Sequence, residues 1–300
     1  MMDKHIFYAE NLTSGYDGKI VVDDVSIAIP DGKISVILGA NASGKSTLLK
    51  TLVRLIKPIE GAVKLDGSQI DSVPSRKLAR TIGFLPQSPI VPEGIVVADL
   101  VGRGRFPHQS FLKGWSRKDS EAVAQALDIM GIADLADRSI DELSGGQRQR
   151  VWIAMALAQQ TDILMLDEPT TYLDITYQVE ILDLLTDLNR RTGTTIVMVL
   201  HDINLSARYA DHLFVMRAGR LIAEGSPQEV ITSKLVKAAF SLESDIYLDP
   251  ISGSPMLVPK GRHHARRNRN AQCAMYTKSP QFPANIVLKR YELSENKHVV

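Results

Sequence analysis

Length, composition and charge bound what this chain can be. It has 300 residues, of which 44% are hydrophobic, enough for one large domain with a substantial core. Its formal net charge is +1, so no overall field favours nucleic acid as a partner. Its single cysteine, Cys273, excludes an internal disulfide framework and a cysteine-based zinc site. We find no signal-peptide pattern and no run of roughly 18 apolar residues, and we therefore expect a cytoplasmic chain that reaches a membrane only through a partner.

Apolar runs predict the strands of a sheet, in chain order. Residues 34–38 predict a buried strand that leads into a glycine-rich loop, followed by an amphipathic helix over residues 48–56. Residues 163–166 and 195–200 are apolar and rich in branched side chains, which is typical of parallel strands covered by helices on both faces. Two less regular segments, 25–29 and 62–65, are predicted to belong to an antiparallel edge sheet.

The middle of the chain has a different pattern. From residue 89 to about residue 147, strand-like runs give way to helical periodicity, as over residues 120–130. This change predicts a helical subdomain over about residues 89–160, inserted into the α/β core. Further on, Ser226-Pro227-Gln228-Glu229 has the pattern of a capping box and marks the start of a helix.

The composition changes once more after Lys260. A basic run with few hydrophobic residues begins there, formed by Arg262, His263, His264, Arg266, Arg267 and Arg269. We therefore expect one large domain over residues 1–260 and a disordered, solvated tail over residues 261–300. A contact between this basic run and anionic lipid headgroups is the alternative interpretation.

A phosphate-binding loop follows the first predicted strand. Its sequence is Gly39-Ala40-Asn41-Ala42-Ser43-Gly44-Lys45-Ser46, with Thr47 next in the chain. Glycines let the backbone curl so that its N–H groups point at phosphate oxygens, and the following helix adds the positive end of its dipole. We expect Lys45 to reach the β- and γ-phosphates of ATP and Ser46 to place its hydroxyl on Mg²⁺.

A pair of carboxylates follows the second apolar strand. Asp167 lies where that strand ends, the edge at which ligands gather in parallel sheets, and it is predicted to contact Mg²⁺ through water. Glu168 comes next, and a carboxylate near the γ-phosphate can orient the attacking water and accept its proton.

A third motif lies between these two. The segment Leu143-Ser144-Gly145-Gly146-Gln147 precedes a helix, with Ser144 as a predicted cap and two glycines that expose backbone N–H groups to an anion. With the loop and the carboxylate pair, in this order, it resembles the ATP-binding cassette (ABC) family from about residue 6 to residue 259. The resemblance implies an α/β fold: a P-loop NTPase core with a RecA-like parallel sheet flanked by helices, an antiparallel β subdomain and an inserted helical subdomain. It also implies ATP hydrolysis that drives another protein, usually a membrane transporter.

The resemblance also implies roles for residues outside these three motifs. His201 matches the switch histidine that contacts the γ-phosphate, and Gln87 matches the residue that ties Mg²⁺ and water to the helical subdomain. Tyr16 matches the aromatic residue that stacks on adenine, and Asp174 matches the loop that crosses the dimer interface. Tyr172 departs from the alanine more common in that loop.

The resemblance predicts a site that two copies of the chain share. In the family, residues equivalent to Ser144, Gly145, Gly146 and Gln147 bind the γ-phosphate of the other subunit's ATP, so we expect a homodimer. The predicted catalytic residues are Lys45, Gln87, Glu168 and His201, and the predicted Mg²⁺ contacts are Ser46, Gln87 and Asp167. The expected partners are a membrane permease and, through it, a substrate-binding protein, on the cytoplasmic face of the inner membrane, with no nucleic acid.

Softer motifs narrow the subfamily. Residues 102–109, 151–159, 174–178 and 201–204 resemble the ATPase subunits of bacterial iron(III)-siderophore importers. We therefore expect siderophore uptake, with cobalamin or haem import as the nearest alternative. An exporter ATPase and a soluble cassette mechanoenzyme acting on ribosomes or DNA ends remain the other readings; the second usually has two cassettes or a long coiled-coil insertion.

Overall fold

The computed structural model describes residues 4–87, 93–109, 114–171 and 173–261. Tyr172 and residues 262–300 of the tail therefore lie outside the described residues. The strands are β1 Phe7–Tyr16, β2 Lys19–Ile29, β3 Ile34–Gly39, β4 Glu60–Leu65, β5 Ser68–Gln69, β6 Ile82–Leu85, β7 Ile163–Asp167, β8 Thr195–Val199, β9 His212–Arg217, β10 Arg220–Gly225, β11 Ser244–Leu248 and β12 Pro255–Pro259. The α-helices are α1 Lys45–Leu52, α2 Ser75–Thr81, α3 Val97–Gly102, α4 Arg117–Ile129, α5 Gly145–Ala158, α6 Ile175–Thr192, α7 Ile203–Tyr209, α8 Pro227–Val230 and α9 Ser233–Phe240.

The central sheet has the strand order β10-β9-β3-β8-β7-β6. All neighbouring pairs are parallel except β9 with β10, which run antiparallel. The three strands predicted from apolar runs are confirmed as β3, β7 and β8, next to one another in the sheet. They are fully buried because helices cover both faces.

The two faces of this sheet pack against separate hydrophobic clusters. Along β7, Leu164 and Leu166 belong to one cluster, whereas Ile163 and Met165 belong to the other. The first cluster continues into the helical region through α3, α4 and α5, and the second continues into the antiparallel sheet. Alternation of side chains along a strand explains how the four consecutive apolar residues of β7 serve two cores.

The predicted antiparallel edge sheet is confirmed, with the order β2-β1-β4-β5. The segment 89–147 is helical where it is described, and the predicted helix over residues 120–130 is observed as α4. The capping box at Ser226 is also confirmed, at the start of α8. Among the described residues, no helix combines the length and the hydropathy needed to cross a membrane.

One predicted helix has different bounds in the structure. The helix expected over residues 48–56 is α1, which begins at Lys45 and ends at Leu52. It begins earlier because the glycine loop ends at Gly44, so the helix starts directly behind the phosphate site. It ends earlier because Arg54 adopts a left-handed φ of 63°, and Lys50 O accepts hydrogen bonds from the N–H groups of Leu55 and Ile56.

Candidate functional site: a nucleotide-binding cavity

The glycine loop connects the carboxyl end of β3, a central strand of the sheet, to the start of α1. A side chain on Gly39 would bring its Cβ within 2.4 Å of Met216 O, because β9 lies directly beside the loop. Gly44 has a φ of 98°, which glycine adopts readily and other residues rarely do. These two positions therefore require glycine for reasons of space and backbone conformation, and together they aim the start of α1 at the cavity.

Lys45 lies inside the loop that precedes it. Its Nζ donates to the carbonyl oxygens of Gly39 and Ala40, each at 3.0 Å, and the residue is 5% exposed. Burial lowers the pKa of Lys45, while the nearby carboxylates of Glu168 and Asp167 act in the opposite direction. A buried ammonium with only carbonyl partners lies ready to bind a phosphate oxygen.

Ser46 and Asp167 form a polar pair beside this lysine. Ser46 Oγ donates to Asp167 Oδ1 at 2.8 Å. Burial raises the pKa of Asp167. Its Oδ2 is buried and has no hydrogen-bond partner among the described residues, and the same holds for Ser43 Oγ in the loop. Unsatisfied buried oxygens are costly, so they mark a place where a bound group completes the hydrogen bonding. A carboxylate and a hydroxyl are ligands that suit Mg²⁺.

Glu168 is held by three side chains. Gln87 Nε2 donates to its Oε2 at 2.5 Å, Thr171 Oγ1 donates to the same oxygen at 2.9 Å, and His201 Nε2 lies 2.6 Å from its Oε1. The backbone of Glu168 has a φ of 56°, an uncommon conformation for a residue other than glycine. Strain of this kind is concentrated at functional sites. The structure thus fixes one carboxylate at the mouth of the glycine loop.

Except for Asp167, the site residues described above line one cavity of about 760 Å³, large enough for a nucleotide. Its lining residues are Val21, Gly39, Ala40, Asn41, Ala42, Ser43, Gly44, Lys45, Ser46, Thr47, Gln87, Glu168, Thr171, His201 and Phe240. Every residue predicted for the phosphate loop is among them. The predicted catalytic residues Gln87, Glu168 and His201 also line the cavity. Asp167 is not in the lining and acts on the cavity through Ser46.

Three lining residues escaped the sequence analysis. Thr171 lies three residues after Glu168, and a hydroxyl at that spacing was a signal that could have identified it. Val21 reaches the cavity from β2 and Phe240 from the end of α9. No local pattern distinguishes these two from core residues.

Six further predicted residues lie outside this cavity lining: Tyr16, Ser144, Gly145, Gly146, Gln147 and Asp174. Ser144 caps α5 in a reciprocal capping box with Gln147, and Asp174 caps α6 by accepting from Tyr177 N at 3.1 Å. Tyr16, at the end of β1, is 47% exposed and is not among the lining residues, so its contact with adenine stays a prediction. Residues 143–147, called the signature segment from here on, and Asp174 thus lie at helix starts that do not line the cavity of their own chain.

The sequence of this chain is similar to those of known proteins. A family model described as ABC transporter matches residues 22–171. The petrobactin import ATP-binding protein FpuD of Bacillus anthracis is 49% identical over 84% of this chain and 93% of its own length. The ferric enterobactin transport ATP-binding protein FepC of Escherichia coli (strain K12) has the same identity over the same shares.

Solved structures agree with these sequence relatives. The dimeric structure of MJ0796, a bacterial ABC transporter cassette, superposes with a TM-score of 0.65 at 29% identity, covering 73% of this chain and 98% of that one. With the phosphate loop, the carboxylate pair and the signature helix in the expected places, the chain belongs to the ABC transporter family as one of its ATPase subunits.

Proposed function

We propose that this chain hydrolyses ATP to drive import of an iron(III)–siderophore complex through a partner permease in the membrane. One observation carries the proposal: the Glu168 carboxylate is held by three donors in the same cavity as Lys45 and the glycine loop. The relatives are import ATPases for two different siderophores at equal identity. Their names support the substrate class and do not single out one compound.

The chemistry of the cavity follows from its residues. The loop N–H groups and Lys45 neutralise the phosphates of ATP, which lowers the cost of building up charge on the leaving group. Glu168 orients a water molecule and accepts its proton, while Gln87 and His201 hold the carboxylate in place. Ser46, Asp167 and Gln87 would hold Mg²⁺, which would supply positive charge to offset the negative charge of the phosphates.

A second copy of the chain completes the site. The signature residues Ser144, Gly145 and Gly146 do not line the cavity of their own chain. A helix start with exposed N–H groups is well suited to a phosphate, so the ATP held by one copy is the ligand for the signature of the other. Two ATP molecules bound between two copies then close the dimer. The closing movement is transmitted to the membrane permease, beneath which the dimer binds on the cytoplasmic face of the inner membrane.

Uptake in cells tests the function. Cells carrying the wild-type chain or Lys45→Ala are given radiolabelled iron as several ferric siderophores, with labelled cobalamin and haem in parallel. Lys33→Ala, an exposed lysine paired with Asp211 on the surface, is the matched control. We expect Lys45→Ala to abolish uptake of at least one ferric siderophore and the control to retain it. Loss of cobalamin or haem uptake alone would overturn the substrate, and unchanged uptake of all three would overturn the importer function.

A further inference from the structure

The starts of two helices meet through a single aromatic ring. Helix α5 starts at Gly145, within the signature segment, and α6 starts at Ile175, directly after Asp174. The ring of Tyr177, in the first turn of α6, lies so close to Gly146 that a Cβ there would be 3.2 Å from its Cγ and Cδ1 atoms. The ring therefore packs on the backbone of the signature helix, a contact that a side chain at residue 146 would disturb.

The backbone of Tyr177 contacts the second motif. Its N–H donates to Asp174 Oδ1 at 3.1 Å and so completes the cap of α6. Tyr177 therefore touches both the signature segment, through its ring, and Asp174, through its backbone. Neither of these motifs lines the cavity of its own chain, and neither does Tyr177.

Arg150 extends the contact into a cluster. It lies one helical turn after Gly146, its guanidinium carbon is 5.7 Å from the centre of the Tyr177 ring, and it forms an ion pair with Glu180 on α6. Its Nη1 also donates to Met130 O at the end of α4, at 3.5 Å. A cation attracts the face of an aromatic ring, so Arg150, which lies on α5, holds the Tyr177 ring close to this helix. Its ion pair with Glu180 also links α5 to α6.

We propose that Tyr177 is a positioning residue: it sets the start of the signature helix against Asp174, so that the two motifs present one preformed surface to the ATP of the second copy. This inference rests on the proposed two-copy site. The ring supplies the contact, because the Tyr177 hydroxyl makes no hydrogen bond among the described residues. A preformed surface lowers the ordering cost of association, so the effect is expected on dimer closure, not on the binding of ATP to one chain.

The test separates these two steps. In a Glu168→Gln background, which slows hydrolysis, the dissociation constant of the ATP-bound dimer is measured by sedimentation, and ATP binding to the monomer is measured by calorimetry at low chain concentration. Tyr177→Ala is expected to weaken the dimer about tenfold, from loss of the ring contacts, and to leave monomer affinity for ATP unchanged. Tyr177→Phe is expected to behave as Tyr177, and the exposed Tyr247→Ala is the matched control.

Each outcome decides something. If the Glu168→Gln chain itself stays monomeric with ATP, the two-copy site fails and the inference about Tyr177 fails with it. If that chain dimerises and Tyr177→Ala dimerises equally well, only the inference about Tyr177 is overturned. Glu180→Gln provides a second variant that keeps the ring but loosens Arg150, and it is expected to weaken the dimer in the same direction. An unchanged dissociation constant of the dimer in both Tyr177→Ala and Glu180→Gln would show that Tyr177, Arg150 and Glu180 do not position the signature segment.

Discussion

A buried ion pair in the helical region allows a stability prediction with a built-in control. Arg105 and Asp119 are joined by a hydrogen bond of 2.9 Å between Nε and Oδ1, and their side chains are 5% and 6% exposed. Arg105 also donates to Ala158 O and to Gln160 Oε1. On the surface of the same helix α4, Arg117 and Glu121 form a pair of 2.8 Å with side chains 92% and 59% exposed.

The two pairs have nearly the same length and differ in burial, and the buried Asp119 also accepts hydrogen bonds from the backbone N–H and the hydroxyl of Ser116 in the capping box of α4. Removing Asp119 leaves the guanidinium of Arg105 charged, buried and without a counterion, a change that costs about 3 to 5 kcal/mol in folding free energy. Removing Glu121 breaks an exposed pair, which costs about 0.5 kcal/mol or less. At roughly 2 to 4 °C per kcal/mol for a domain of this size, a loss of 3 kcal/mol lowers the Tm by about 6 to 12 °C.

Thermal unfolding of the full chain measures this difference. Asp119→Ala is expected to lower the Tm by at least about 6 °C and Glu121→Ala by no more than about 2 °C. The double variant Arg105→Met with Asp119→Leu is expected to recover the part of the loss that comes from the unpaired charge, because apolar side chains replace both buried charges. It does not recover the part that comes from the lost cap, because leucine accepts no hydrogen bond from Ser116. Equal shifts for Asp119→Ala and Glu121→Ala would refute the reasoning that burial makes the pair important.

The remaining predictions concern the site, pH and the tail. Glu168→Gln is expected to bind ATP yet release phosphate at least about 100-fold more slowly, because its amide cannot accept the proton of the water; a wild-type rate would remove Glu168 from that role. Burial by itself lowers the pKa of His5, but hydrogen bonds to Asp66 and Asp162 outweigh it and raise that pKa above 6.5. The stabilisation is complete below pH 6.5 and is lost as the pH rises through the folded pKa, so the Tm difference between wild type and His5→Ala is expected to shrink over that range; a constant difference would contradict it. Deleting residues 262–300 is expected to leave the ATPase rate unchanged, since every predicted site residue precedes them; a large fall in rate would show otherwise.

Local patterns were enough to predict the strands and the phosphate loop. A buried strand is recognisable from its own run of consecutive apolar residues. For this reason the bounds of β3, β7 and β8 were predicted to within one residue at each end. The glycines of the loop and the carboxylates at the end of β7 are also local signals, because their chemistry depends on the backbone geometry of adjacent residues. For Gln87 and His201, by contrast, the order of motifs in a known family supplied the prediction.

The tertiary structure decided which distant residues meet. Phe240 reaches the cavity only because α9 packs where it does, and the ring of Tyr177 reaches Gly146 only because α5 and α6 start side by side. The partnership of Arg105 with Asp119 likewise depends on how the segment after α3 packs on α4. Contacts between residues tens of positions apart depend on strand order and helix packing, and no local run of side chains encodes them. The sequence by itself therefore determined the elements and the chemistry of the motifs, and the packing of those elements determined which side chains act together.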